Sequence, residues 1–589
     1  MTDLQVCLLA VGVWLGALLP VGASRLVLVA CGLCVLIAWR RRMPWILIVA
    51  ASLLASLAAG SAWASIAPAT TRSFDGQVVL ASDPVPVTGG VRVAATIEGD
   101  RYDLRAWGSS AGWLRNRLMG EQISIEANLR PLGDAPEWLL AQGLSGRGTV
   151  TSVGGFDVGS PHTRLANSIR RTIESGAASL ARDEQALFAG LVYGDDRQQS
   201  PLTADNFQAA GLTHLLAVSG QNVAFALAIV GPLLRRLGHR QRFAFVLAVL
   251  LVFATVTRFE PSVVRASVMT AVASVAALVG TEVSSRRILS VAIAVLVIVD
   301  PLIVHRVAFQ LSVAASAGIL FWSGRVARAV PGPRWFAESL AVTASAQLAV
   351  APLLVWKFDG LPVASLPANL LAGPAAGPVM MWGLTAGLVA GLVPVWAAAW
   401  MHVPTAWALW WIDSVAAYVP ALPMGVLGGS HIVLLFVIGG VGLRQIQQPM
   451  RAAAAVALAV VLLHPAVVLA TTPRATLGID DESTIWQDES ATVVVLGPRT
   501  RPELVLASMR QANVGDIDIV VARRSTYATA SLVGWMQTRH QIDHVWAPEP
   551  TMGVGEDVPD HEVLIPIDGR VLSVRSEAGE LVIARALGD

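Results

Sequence analysis

Hydrophobic positions change their period several times along the chain, and each change marks a new kind of element. Residues 4–21, 25–39 and 44–66 are apolar runs near or somewhat short of the roughly 20 residues that span a bilayer. They predict membrane helices that are retained, because the first run lacks the basic start of a signal peptide and two more follow it. From about Ser73 to Gly155 the period falls to two, through Val91, Val93, Ala95 and Ile97 and then Ile123, Ile125, Ala127 and Leu129, with turn formers at Pro84, Gly89-Gly90, Gly99-Asp100 and Gly120. Short strands in that number suit a small barrel. His162 to Leu180 returns to helical spacing, with Leu165, Ile169, Ile173 and Leu180 on one face and Arg164, Arg170 and Arg171 on others; a helix along the membrane surface and a plain connector fit equally.

Further apolar helices are expected over 243–257, 262–280, 288–304, 398–419, 430–443 and 452–471. Glycine spacing marks close helix packing at Gly12-x-x-x-Gly16 and at Gly383, Gly387 and Gly391. After residue 473 short strands and helices alternate: Val493 to Leu496, a helix from Pro502 to Gln511, Ile517 to Val521, a helix from Tyr527 to Gln537, then Val563 to Ile567 and Val571 to Val574. The domains follow as 1–70 (N-terminal transmembrane helices), 71–158 (small barrel), 159–211 (amphipathic helix and connector), 212–472 (transmembrane core) and 473–589 (an α/β tail).

Within the core, Phe207 to Gly231 is apolar enough for a membrane, yet His214, Ser219, Gln221 and Asn222 interrupt it. Polar side chains at that depth are costly unless they face protein or a wet cavity, so this stretch is the first functional candidate.

Composition agrees: 54% hydrophobic and 14% charged residues over 589, with a mean hydropathy of +0.60, describe a multispanning membrane protein with room for polar domains. A net charge of +1 excludes no nucleic-acid partner, since a local basic surface can hide in a neutral total. Nearly all basic residues are arginine, Lys357 being the one lysine, a bias that codon usage explains better than phosphate binding does. The cysteines Cys7, Cys31 and Cys34 all lie in the N-terminal apolar region, so Cys31-x-x-Cys34 is better read as packing than as redox chemistry. The positive-inside rule places Arg40–Arg42, Arg235–Arg242, Arg325, Arg328 and Arg334, and Arg444 with Arg451 in the cytoplasm, which puts both polar domains outside.

The phrase His214-Leu-Leu-Ala-Val-Ser219-Gly220-Gln221-Asn222-Val223 resembles H-L-L-A-[IV]-S-G-x-[HN]-V, the signature of the ComEC-like competence family of bacterial membrane proteins. Ala186-Leu-Phe-Ala-Gly-Leu-Val-Tyr-Gly194 before it, Ser262-Val-Val-Arg265-Ala-Ser-Val-Met269, Asp300-Pro301 with Phe309-Gln310-Leu-Ser312, Ser345-Ala-Gln347 to Pro352, and Leu366-Pro-Ala-Asn369 to Pro374 follow the family in order.

The resemblance implies a polytopic α-helical membrane protein with an external OB-like β-barrel and a C-terminal domain like a metallo-β-lactamase. Where that fold carries T-H-x-D-x-D-H, this chain has Ala522-Arg523-Arg524-Ser525-Thr526-Tyr527-Ala528, and His540, His544 and His561 do not restore the spacing. A two-metal hydrolase needs those ligands, so the tail is expected to be degenerate, without metal or cofactor.

The implied function is a channel, not an enzyme, that admits single-stranded DNA across the cytoplasmic membrane. A cytoplasmic helicase-like ATPase and an external DNA receptor are the implied partners, since the chain has no P-loop of its own; self-association is left open. The expected channel lining is His214, Ser219, Gln221, Asn222, Arg265, Gln310, Ser312, Gln347 and Asn369, uncharged donors apart from Arg265 that suit phosphate oxygens and serve equally as interhelical glue. In the barrel, Arg92, Arg101, Arg105, Arg115 and Arg117 with Tyr102, Trp107 and Trp113 are candidate DNA contacts or else a solvated face over an aromatic core. Asp195, Asp196 and Asp205 are expected to be solvated, and Arg265 to pair with a carboxylate or face water. Two competing functions are a transporter of a lipid or polar metabolite on the same fold, and an intramembrane hydrolase using Ser219 with His214, whose spacing of five fits one helical face poorly.

Overall fold

A computed structural model of the chain describes residues 2–22, 43–66, 70–87, 89–133, 135–358, 360–422, 424–442, 448–471, 476–487, 491–548 and the strands 556–557, 563–567, 570–577 and 580–586. The expected helix 25–39 with Cys31 and Cys34, the arginines Arg40–Arg42, Arg444 and His561 lie outside those residues.

Helices α1 (Asp3–Leu18) and α2 (Pro44–Ser65) open the chain. They meet at the expected glycine face: a Cβ on Gly16 would come within 2.1 Å of the Ser52 carbonyl oxygen, so only glycine permits this approach. The period-two region forms β1 (Arg72–Leu80), β2 (Val85–Val87), β3 (Gly90–Ile97), β4 (Asp100–Trp107), β5 (Gln122–Pro131) and β6 (Leu144–Asp157). They pair in the order β1-β5-β6-β4-β3-β2, and Val79 and Leu80 of β1 also pair with Thr96 and Ala95 of β3. All neighbours are antiparallel except β4 and β6. The alternation held: Val91, Val93, Ala95, Ile97, Ile123, Ile125, Ala127 and Leu129 are all buried in one core with Leu104 and Leu114.

Helix α3 (Pro161–Gly176) keeps most of the expected face, with Ile173 and Leu180 in the core and Ile169 packed against it, but Leu165 is left out and Arg170 is added. Thr163, Ala166, Asn167, Arg170, Ile173 and Gly176 are buried, whereas Leu165 is 51% exposed. Arg170 can be buried because it has buried carboxylate partners, Asp83 and Asp195. Protein covers α3 at its C-terminal end, where a Cβ on Gly391 would lie 1.9 Å from the Thr172 oxygen and one on Gly387 3.6 Å from Ile173.

Two short helices follow, α4 (Arg182–Tyr193) and α5 (Pro201–Ala209), and then the expected central segment. It is not one helix. Thr213–Leu216 makes a single turn, Ala217 is extended, and helix α6 starts at Gly220 and runs to Leu234. The core continues through α7 (His239–Val256), α8 (Pro261–Val279), α9 (Ser285–Val299), α10 (Val307–Ala329), α11 (Arg334–Phe358), α12 (Ser365–Trp382), α13 (Val395–Tyr418), α14 (Gly429–Gly442) and α15 (Gln448–Thr471). A π-helical turn at Gly383–Gly387 lets α12 pass over Phe188.

Among the described residues, seven helical segments are long and apolar enough to cross a bilayer: α2, the pieces from Thr213 to Leu234, α7, α8, α10, α11 and Ala453–Thr471 of α15. This is a membrane protein. Helix α13, expected as a span over 398–419, is not among the seven; it carries His402, Asp413 and exposed Trp396, Trp400, Trp407 and Trp410, which lower its hydropathy.

In the tail, β7 (Thr484–Gln487), β8 (Thr492–Leu496), β9 (Ile517–Ala522) and β10 (Ile542–Ala547) form a mixed sheet whose last three strands are parallel, with short edge strands at 477–478 and 556–557. Helices α16 (Pro502–Gln511) and α17 (Tyr527–Gln537) are the parallel crossovers, with the bounds the sequence indicates. The strands from 563 onward form a separate antiparallel sheet.

Candidate functional site

The break before α6 is built from the chain's small and polar residues. Gly211 adopts φ +63°, and a Cβ there would fall 2.3 Å from the Ser365 Cβ, so the turn demands glycine twice over. Ser219 caps α6, its hydroxyl accepting the Gln221 amide at 3.2 Å. Three neighbouring helices then tie the break in place. Asn222, fully buried, donates to the Leu191 carbonyl of α4 at 3.2 Å. The Ser262 hydroxyl at the head of α8 donates to the Val218 carbonyl. Asn369 of α12 donates to the carbonyls of Ser365 at 2.7 Å and Gly211 at 3.4 Å, and His214 Nδ1 lies 3.2 Å from that same Gly211 oxygen.

The structure thus gathers His214, Ser219, Gln221, Asn222 and Asn369 at one place. His214 and Gln221 are exposed there, while Asn222 serves packing. Ser219 donates to Asn222 Oδ1 at 3.4 Å, and no bond joins it to His214 among the described residues.

Arg265 of α8 stands beside the break: a Cβ on Gly220 would lie 3.4 Å from its Nη2. It is 8% exposed, and its partners are not the expected carboxylate. Nε donates to the Ser312 hydroxyl at 2.9 Å and Nη1 to that of Ser316, both on α10. Two neutral hydroxyls accept from Nε and Nη1 and leave the guanidinium's charge in place. That charge lies next to the amide end of a 15-residue helix, whose dipole is positive there. Gln310 and Gln347 sit apart from this cluster; Gln310 Nε2 donates to the Val304 carbonyl at 2.7 Å, and Gln347 is half-buried on α11.

A second polar cluster joins the N-terminal sheet to the helices. Arg170 of α3 reaches Asp195 at 2.6 Å and Asp83 at 3.2 Å, Arg197 reaches Asp195 at 2.5 Å, and Arg258 reaches Asp83 at 2.8 Å. Arg170 also donates to the Val256 carbonyl at 2.9 Å and lies over the Tyr193 ring at 4.6 Å. Burial alone would raise both carboxyls. The guanidinium groups of Arg170 and Arg258 at Asp83, and of Arg197 and Arg170 at Asp195, outweigh it and hold both below the usual aspartate range.

Asp195, expected to be solvated, is therefore a buried ion-pair partner. So is Asp205, 2% exposed, which accepts from Arg510 and from Arg539 at 2.7 Å. Asp196 alone of the three is exposed. Sequence reasoning missed Asp83, Arg170, Arg258, Arg510 and Arg539. Only Arg170 left a signal, standing between Ala166 and Ile173 on one helical face.

On the sheet, Arg105 and Trp107 point outward from β4, with Arg92 opposite Arg105 in register and Trp107 lying over Gly90. Arg130 and Arg147, also paired in register, extend this exposed face across β5 and β6. Arg92 is paired with Asp103 at 2.6 Å, and Arg101 donates to the carbonyls of Gln142 and Ala81 at 3.3 and 3.4 Å. Tyr102 is a correction: 4% exposed, it belongs to the core, because its position alternates inward. Trp113 packs partly against that core under the Arg117 guanidinium, 4.1 Å from its ring centre, and Arg115 is exposed.

Residues 191–443 match the family described as Competence protein. Among curated proteins, the chain is 28% identical over 244 residues to ComE operon protein 3 of Bacillus subtilis, covering 41% of this chain and 31% of that one. It is 24% identical over 310 residues to Recombination protein 2 of Haemophilus influenzae, covering 48% and 38%. The matched part thus spans about a third of the length of these relatives. No solved structure matches the chain.

Proposed function

We propose, from the premise that residues 191–443 make this chain a ComEC-like competence protein, that it serves DNA uptake in natural transformation by passing a single strand across the cytoplasmic membrane. The observation that carries this reading is the break before α6. There an unneutralised Arg265, the amide end of a helix and the exposed amide of Gln221 meet in an apolar core, a combination that attracts phosphate without enclosing it. Serine hydroxyls as Arg265's partners favour transient contact over tight binding, which is what conduction needs.

The N-terminal sheet is read as an OB-like barrel. Supporting this are the return of β1 to β3, which makes a circuit of β1, β3, β4, β6 and β5, and the parallel pairing of β4 with β6. Arg105, Trp107, Arg130 and Arg147 would receive the strand on its outer face. The tail is read as a degenerate metallo-β-lactamase-like domain without metal, on the ligand positions that hold Arg523, Arg524 and Ser525 instead. Both modules touch the segment between Asp195 and Asp205, the sheet through the Pro84 carbonyl and the tail through Arg539, which favours their lying on one side of the membrane, the outer side by the arginine distribution. A helicase-like ATPase inside and a DNA receptor outside remain the partners this role calls for. Ser219 acts as a helix cap in this reading, and no chemical step is assigned to it.

The test is transport of labelled single-stranded DNA into proteoliposomes holding the full chain, its Arg265→Gln variant, or the chain lacking residues 71–158. Entry that falls with Arg265→Gln supports the proposal. No DNA entry, with uptake of a lipid or small polar solute instead, replaces it by the transporter reading.

A further inference from the structure

Helix α5 is only nine residues long, too short to hold its own orientation in isolation. Its setting comes from its neighbours. Asp205 on this helix accepts from Arg510 Nη1 with one carboxylate oxygen and from Arg539 Nη1 with the other, and Arg539 Nη2 donates to Asn206. Leu202, one turn earlier, packs against the tail's core beside Val505, Leu506 and Met509. The tail is therefore seated on α5 by an apolar contact and a charge pair, and the carboxylate is far too buried to lose its partners cheaply.

The other end of α5 is continuous with the break. The Leu212 amide bonds to the Phe207 carbonyl at 2.8 Å and the Gly211 amide to that of Gln208 at 3.0 Å, so helix and turn form one hydrogen-bonded unit. Gly211 is the residue whose carbonyl His214 and Asn369 share. Rotating α5 would turn that carbonyl away from α12.

We propose that Asp205 is a positioning residue: through Arg510 and Arg539 it lets the tail set the orientation of α5 and so the geometry of the break. The significance of the break for transport rests on the reading above; the mechanical link does not. It gives the tail a function that needs no metal and no hydrolysis.

The experiment reads the break directly, without DNA. In full-length protein with Cys7, Cys31 and Cys34 replaced by serine, Ala217→Cys places a thiol at the exposed extended residue, and its rate of maleimide labelling is measured in membranes. Asp205→Asn, and separately Arg510→Ala with Arg539→Ala, are expected to change that rate by about fivefold or more in the same direction, the lower end of an ordinary coupling between sites. Asp205→Arg combined with Arg510→Asp and Arg539→Asp, which mirrors all three charges, is expected to bring it back toward the starting rate. A rate untouched by the first two variants, or changed but not restored by the exchange, overturns the proposal. The same variants assayed for DNA entry separate the two readings: labelling that shifts in a protein that moves no DNA leaves the link standing and removes the conduit.

Discussion

Arg170 binds together more of this molecule than any single residue in the signature phrase. It bridges two carboxylates brought by the loop after β1 and by the turn after α4, and removing it would leave both buried with too few partners. Arg170→Leu is therefore expected to cost about 3–5 kcal/mol, seen as a lowered melting temperature of the detergent-solubilised protein. The same cluster sets an acid limit. Because Asp83 and Asp195 are held below their unfolded values, their contribution is complete above the ordinary aspartate range and is lost as pH falls through the depressed values. Melting temperature should be level from pH 7 to about 5 and decline below about 4; a level profile down to pH 3 would remove these pairs from the account. On the sheet surface, Trp107→Ala should weaken single-stranded DNA binding by about 1–3 kcal/mol in a fluorescence titration, whereas Tyr102→Phe should leave it unchanged, its ring being in the core.

Single elements were legible in the sequence wherever the period was sharp. Strands β3 and β5 of the N-terminal sheet follow from alternation, and α16 and α17 have the bounds that the sequence pattern indicates. Across the break the same method failed for a physical reason. Apolar continuity from Phe207 to Gly231 records burial and says nothing of where the helix axis changes, and the signals that did mark it were Gly211 and the Ser219-Gly220 cap. On α3 the apolar spacing finds Ile169, Ile173 and Leu180, but not Arg170, because an arginine counts as polar until its buried partners are known. Gly211→Ala tests the turn: with φ positive and Ser365 at 2.3 Å, alanine should abolish DNA uptake while the protein still reaches the membrane, measured by transformation frequency against immunoblot of membranes.

At the scale of the whole molecule, both soluble modules rest on one stretch of chain. The N-terminal sheet reaches it through the Arg197 contact to the Pro84 carbonyl, and the tail through Arg510 and Arg539. Cysteines at exposed Arg105 and Tyr527 should accordingly react together with a membrane-impermeant maleimide added to intact cells. Reaction of only one of them would place the modules on opposite sides. None of this long-range pairing could be read from the sequence, since Asp205 and its partners share no period, motif or proximity.

The same pairing bears on biogenesis. Asp205 is translated 305 and 334 residues before the arginines that neutralise it, an interval of roughly 15 to 70 seconds at ordinary elongation rates. Throughout that time the nascent α5 carries a carboxylate with nowhere dry to go. It must wait at the water boundary, so the seating of α5 on the tail can be completed only after Arg510 and Arg539 have been made.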